Sequence, residues 1–186
     1  MTYLELYNAL NYVDHSRTKR REMSNLILNA PTHIKPLMEI AFQVDDPVSC
    51  KACWVLEFTA KEHLGYLFPS IDTFVHNIGS VHLDPAVRPI AKICEILMKS
   101  YFQLKDKETL GALNDEHLES ITSACFDWLI GDHKVAAQAY SMTSLLLLGR
   151  KFDWIHPELR MILEQNYQNG SAAYKARARM TLAKLR

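Results

Sequence analysis

Cys50-Lys51-Ala52-Cys53 is the group in this chain whose residue types and spacing come nearest to chemistry. Two thiols near the start of a helix would feel the positive end of its dipole and the Lys51 ammonium, which together lower a thiol pKa and suit redox exchange. A redox site of that kind needs a strand leading into the helix. A structural zinc site needs a second ligand pair, which the separate Cys94 and Cys125 do not supply. All four cysteines fall at apolar helical positions, so they are expected in the core as reduced, small hydrophobes. The eight histidines, His15, His33, His63, His76, His82, His117, His133 and His156, show no metal-ligand spacing and are expected on the surface or in turns. Trp54, Trp128 and Trp154 lie in or beside apolar stripes and are expected to pack in the core. There is no Gly-rich phosphate loop, nucleophile elbow or metal motif, so no catalytic, cofactor or metal-binding residue is assigned.

The elements that carry these residues are amphipathic helices. Val87, Ile90, Ala91, Cys94, Leu97, Met98 and Tyr101 step by three and four, while Arg88, Lys92, Glu95 and Lys99 trace the opposite stripe. Leu118, Ile121, Cys125 and Trp128 repeat the pattern, and so do Val135, Ala139, Met142 and Leu146. No segment alternates with period two, so strands are not expected. Asp46-Pro47 opens one apolar run, Asp84-Pro85 opens another 38 residues later, and Asp132 opens a third 48 residues further on. Asp46 and Asp84 are expected to cap the helices that follow, with Pro47 and Pro85 in their first turns. The six glycines follow apolar runs and are expected as left-handed caps. The longer third interval places polar residues at 103–109, expected as a surface loop.

Assembled, the helices pair as hairpins over residues 31–62, 66–103, 114–148 and 155–185, preceded by a capping pair at 3–13 and 18–29. A period of this size marks stacked helical hairpins that bury a shared core. Asp84-Pro85-Ala86-Val87-Arg88 resembles the start of the second helix in HEAT and armadillo-like repeats. Asp46-Pro47-Val48 with Lys51 and Asp132-His133-Lys134-Val135 resemble it less closely, and the last unit, from Gly170 to Lys175, has no aspartate. The resemblance covers residues 31–186 and implies an all-α, right-handed superhelix of about five hairpins forming one domain over 1–186, with 1–30 as the capping pair. It further implies that Asp46, Asp84, Arg88 and Asp132 form a ladder between neighbouring repeats.

Composition excludes several classes. Of 186 residues 48% are hydrophobic and 23% charged, an ordinary globular balance that argues against disorder. The longest leucine run, Leu145 to Leu148, is far short of the roughly 20 residues of a membrane span. The start of the chain has no signal-like pattern, and the expected location is cytoplasmic. Charge is balanced at 21 basic and 21 acidic residues but unevenly spread, with five basic and no acidic residues in 171–186 and a deficit of seven in 37–170. Arg17, Lys19, Arg20 and Arg21 form a second basic cluster, read as a solvated helix face.

Three functions fit these bounds. The leading one is a noncatalytic scaffold that binds a protein or peptide along its second helices, with Lys51, Arg88, Lys92, Lys134, Gln138, Lys175, Arg177 and Arg179 as candidate contacts. The alternative is nucleic-acid binding or repair, because some helical-repeat proteins of similar architecture are glycosylases for alkylated bases. The acidic middle of the chain argues against a duplex-binding stripe. The third is an enzyme of another kind, for which no motif is present. Nothing in the sequence determines the oligomeric state, and Tyr3, Leu4, Leu6, Tyr7 and Leu10 can cover the first repeat or join a second chain.

Overall fold

The computed structural model describes residues 1–185, and among them eleven α-helices form and no strand. The helices are α1 (Tyr3–Leu10), α2 (Arg17–Asn29), α3 (Ile34–Ala41), α4 (Pro47–Glu62), α5 (Ile71–Asn77), α6 (Asp84–Lys99), α7 (Lys107–Ala112), α8 (Asp115–Ile130), α9 (Val135–Leu148), α10 (Ile155–Tyr167) and α11 (Ala172–Leu182). Six of the eleven, α1, α2, α4, α7, α8 and α11, begin with a side chain that accepts an orphan N–H. Thr2 and Glu5 close a capping box on α1, Asn114 and His117 close one on α8, and Asp46 accepts the Val48 N–H at 2.8 Å.

The packing follows the apolar stripes. The second helices form an unbroken row in the order α2, α4, α6, α9, α11, each packed against the next. Of the first helices, α3 packs on α4, α8 on α9, and α10 on α9 and α11. The limb preceding α6 departs from the regular hairpin. It is a chain of short turns, with 3-10 segments at Leu64–Ser70 and Ile78–Ser80 flanking α5, and Pro69 interrupts it. This limb packs mainly on α4 and α8. Leu37, Leu56, Phe74, Ile90, Ile93, Leu97, Leu118, Ile121, Leu145 and Leu163 are fully buried, so both sets of helices share one core. Burying such a side chain is worth about 1.5–3 kcal/mol relative to leaving it in water. At the start of the chain Leu6 and Leu10 close this core, whereas Tyr3 and Leu4 remain exposed.

Several expectations are corrected. No glycine among the described residues has positive φ; Lys105, at 52°, is the residue that turns left-handed. Gly149 instead serves close approach, since a Cβ there would lie 1.9 Å from the His156 ring. Asp84 is not a cap. It lies inside the first turn of α6 and faces His133 at 3.4 Å and Lys134 at 3.9 Å. Asp132 caps nothing either, because α9 begins three residues later with no side-chain cap. The polar segment expected as a loop holds a π turn at Ser100–Leu104 and then α7, pinned by the buried pair Ser100 and Thr109, whose hydroxyls are 2.7 Å apart. Trp54 and Trp128 are buried as expected, but Trp154 is exposed and stacks on Phe126 with ring centroids 5.7 Å apart.

Candidate functional site

The charged stripe on α6 is not simply solvated. Glu95 lies within it and is 1% exposed, a position that costs several kcal/mol for a carboxylate unless cations and hydrogen bonds compensate. Helical spacing brings two of those cations from α6 itself, Lys92 at 2.5 Å and Lys99 at 2.9 Å. A third, Arg177, reaches across from α11 to 3.6 Å. Burial, the largest single influence, pushes the Glu95 carboxyl upward. The hydrogen bonds from Lys92 and Lys99, with their charge, outweigh it and hold the group below its ordinary value.

The same construction occurs one helix earlier. Glu57 on α4 is also 1% exposed, pairs with Lys61 one turn on, and receives a fork from Arg88 of α6, with nitrogens at 3.2 and 2.7 Å from its two oxygens. Arg88 thus ties α6 to α4 through a glutamate, and the expected ladder of Asp46, Asp84, Arg88 and Asp132 does not form, since Asp84 faces His133 and Lys134 instead. Asp46 at the helix start is engaged by the Val48 N–H and the Tyr7 hydroxyl, 2.7 Å away.

Aromatic rings carry the face across the remaining helices. Arg20 of α2 lies 4.9 Å over the Trp54 ring and 5.9 Å over Phe58, while Trp54 donates to the Pro85 carbonyl at 2.7 Å. Lys92 lies 4.6 Å over Tyr140 of α9. α9 has no charged residue, and its small side chains let Arg177 reach Thr143 Oγ1 at 3.0 Å and the Ala139 carbonyl at 3.4 Å. One continuous surface results, made by all five second helices. It places six cations, Arg20, Lys61, Arg88, Lys92, Lys99 and Arg177, around two carboxylates.

This imbalance extends to the whole helices. The five second helices carry twelve basic and five acidic residues, a surplus of seven. The five first helices, α1, α3, α5, α8 and α10, carry two basic and nine acidic residues, a deficit of seven. Charge that looks like two basic ends around an acidic middle in the linear chain is sorted in the fold between alternate helices.

The eight residues nominated from sequence divide accordingly. Arg88, Lys92 and Arg177 stand together on this face, but as half-buried partners of Glu57 and Glu95 rather than free contacts. Arg179 is exposed and Lys175 half-buried on α11. Lys51 donates to the Asn11 carbonyl at 3.0 Å. Lys134 and Gln138 line a separate hollow with Gly131 and Tyr174. Glu57, Lys61, Phe58 and Tyr140 are not singled out from sequence, and Glu95, Lys99 and Arg20 are placed there only on solvated stripes. An available signal was a glutamate inside an apolar stretch with lysine four residues on, present in both Glu57–Lys61 and Glu95–Lys99.

The cysteines are core residues. All four are free and buried, burial pushes the thiols of Cys50, Cys53 and Cys94 up, and that of Cys125 is pushed up to about 12. Such thiols are not nucleophiles, and Cys50 gains nothing from Lys51, whose ammonium is turned to Asn11. Among the described residues no three His, Cys, Asp or Glu side chains converge as a metal site, and no helix is long and apolar enough to cross a membrane. Comparison with protein-family models, with curated proteins and with solved structures finds no match to this chain.

Proposed function

We propose that the chain is a noncatalytic HEAT/armadillo-like superhelix, right-handed and of about five hairpins, whose second-helix face binds an acidic segment of a partner protein. The observation that carries this reading is the surplus of seven positive charges on the second helices, with six cations arranged around the two buried glutamates. The unbroken row of second helices supports the repeat architecture, since stacked hairpins put every second helix on one side. Excess charge on a rigid surface attracts and orients an oppositely charged partner.

Nucleic acid is the weaker occupant. Trp54 is buried with its N–H already donated, and cations cover Phe58 and Tyr140, so no ring on this face stands open to stack a base.

The test is to titrate the full chain with a glutamate-rich peptide and with a DNA duplex of equal charge over a range of salt. The peptide is expected to bind more tightly than the duplex. Replacing Arg20, Lys175 and Arg179 together with glutamine is expected to weaken it about tenfold, the order expected when several steering charges are removed. Tighter binding of the duplex, or peptide binding untouched by the triple substitution, would overturn the reading.

A further inference from the structure

At the far end of the second-helix face, a recess of about 160 Å³ opens between α6, the end of α9 and α11. Lys99, Arg150, Arg177 and Lys184 line it together with Gln103 and Thr143, and no carboxylate is in its wall. Glu95 takes two of these cations, Lys99 at 2.9 Å and Arg177 at 3.6 Å, and is already shared with Lys92. One negative charge thus faces three cations, with Arg150 and Lys184 added at the rim.

The recess is also organised in advance. Arg177 is held by the Thr143 hydroxyl and the Ala139 carbonyl, and Arg150 donates to the Phe102 carbonyl at 3.5 Å. Cations fixed by protein acceptors bind an anion with little further loss of side-chain freedom. A second carboxylate would leave most of this charge unmatched. A phosphate monoester brings a charge of about −1.5 to −2 at neutral pH and three strong acceptor oxygens, which suits several convergent donors.

We propose that this recess binds the phosphate of a phosphorylated side chain on the acidic partner protein. The proposal rests on the reading that the second-helix face binds such a partner. A phosphoprotein is favoured over a polynucleotide because the recess is a single small hollow of about 160 Å³ at one end of the face, which suits one phosphate rather than a run of them.

The test uses the full chain and two probes at constant ionic strength, a short glutamate-rich peptide with a central phosphoserine and the same peptide with serine. Wild-type protein is expected to bind the phosphopeptide about tenfold more tightly, as a charge-assisted contact would produce. The double substitution Arg150→Gln and Lys184→Gln is expected to abolish that preference while leaving the serine peptide unaffected. Both residues are exposed, so an unchanged thermal midpoint will confirm that the variant folds. Equal affinity of wild type for the two peptides would overturn the recess and leave the acidic-partner reading standing. Failure of both peptides to bind would sink both. A preference that survives the double substitution overturns this location for the phosphate. Saturable competition by inorganic phosphate as effective as the phosphopeptide would reassign the recess to free phosphate.

Discussion

The first and second helices of this molecule bury similar apolar stripes against one core, yet they differ by fourteen charges, seven in surplus on one set and seven in deficit on the other. Packing cannot be the source of that difference, because Leu, Ile and Val supply the core from both sides. A balanced chain gains solubility from mixed charges anywhere on its surface and does not need them sorted. The sorting therefore distinguishes a cationic set of helices from an acidic one, and it is the feature on which the proposed partner binding rests. The buried glutamates Glu57 and Glu95 hold cations in place on the second helices.

The comparison breaks most visibly if the cores beneath the two sets respond differently. Leu97→Ala in α6 and Leu118→Ala in α8, both at fully buried positions, are each expected to lose about 2–5 kcal/mol in denaturant unfolding. A loss confined to one of them would mean that the two sets do not share a core. Glu95→Gln comes next. It leaves three cations without their shared carboxylate and is expected to cost about 1–3 kcal/mol, with the cations' access to solvent keeping the figure low. The matched change on the other face, Asp127→Asn at an exposed position, is expected to fall within about 0.5 kcal/mol. Equal effects from the two would remove the distinction between organised and solvated charge.

Acid sharpens the same contrast. The Glu95 carboxyl is held below its ordinary value of 4.5 in the folded chain, so the unfolded chain takes up its proton first as pH falls. Its contribution to stability is complete above that value and is lost as pH drops through the lower folded value. A series of unfolding midpoints against pH is expected to show a smaller acid slope in Glu95→Gln than in wild type. The smallest effect is expected from Arg20→Ala, which removes a cation lying over Trp54 and is worth about 0.5–1 kcal/mol at a partly exposed site. A larger loss would show that Arg20 contributes to the fold beyond its contact with Trp54.

Much of the fold was legible because spacing is local. Val87 to Met98 declared α6 through steps of three and four, and those residues are buried in the structure. The limb at 64–80 was harder, since its length suggested a regular helix while Pro69 and short-range turns broke it into 3-10 segments around α5. The glycine expectation failed because an apolar run followed by glycine marks the end of a helix without dictating the sign of φ. At Gly149 the requirement came instead from a ring seven residues away.

The candidate site was less legible. Glu95 sits on the polar stripe by count and looks solvated, and only the approach of Arg177 from α11 and the packing of α9 beside it make it buried. Arg88 was named from sequence, but its partner Glu57 lies 31 positions away on a neighbouring helix. Periodicity assigns a residue to a face of its own helix; it carries no information about which other helix covers that face.

The amino-acid sequence by itself determined the long amphipathic helices such as α6, α8 and α9, the core composition and the all-α class, because each depends on neighbours within a turn or two, but not α7 or the broken limb around α5. Tertiary structure alone decided that opposite charges separate onto alternate helices, that Glu57 and Glu95 become buried anchors, and that Lys99, Arg150, Arg177 and Lys184 converge. Those outcomes depend on contacts between residues far apart in the chain, whose Coulomb energies take effect only once packing has set the distances and excluded water.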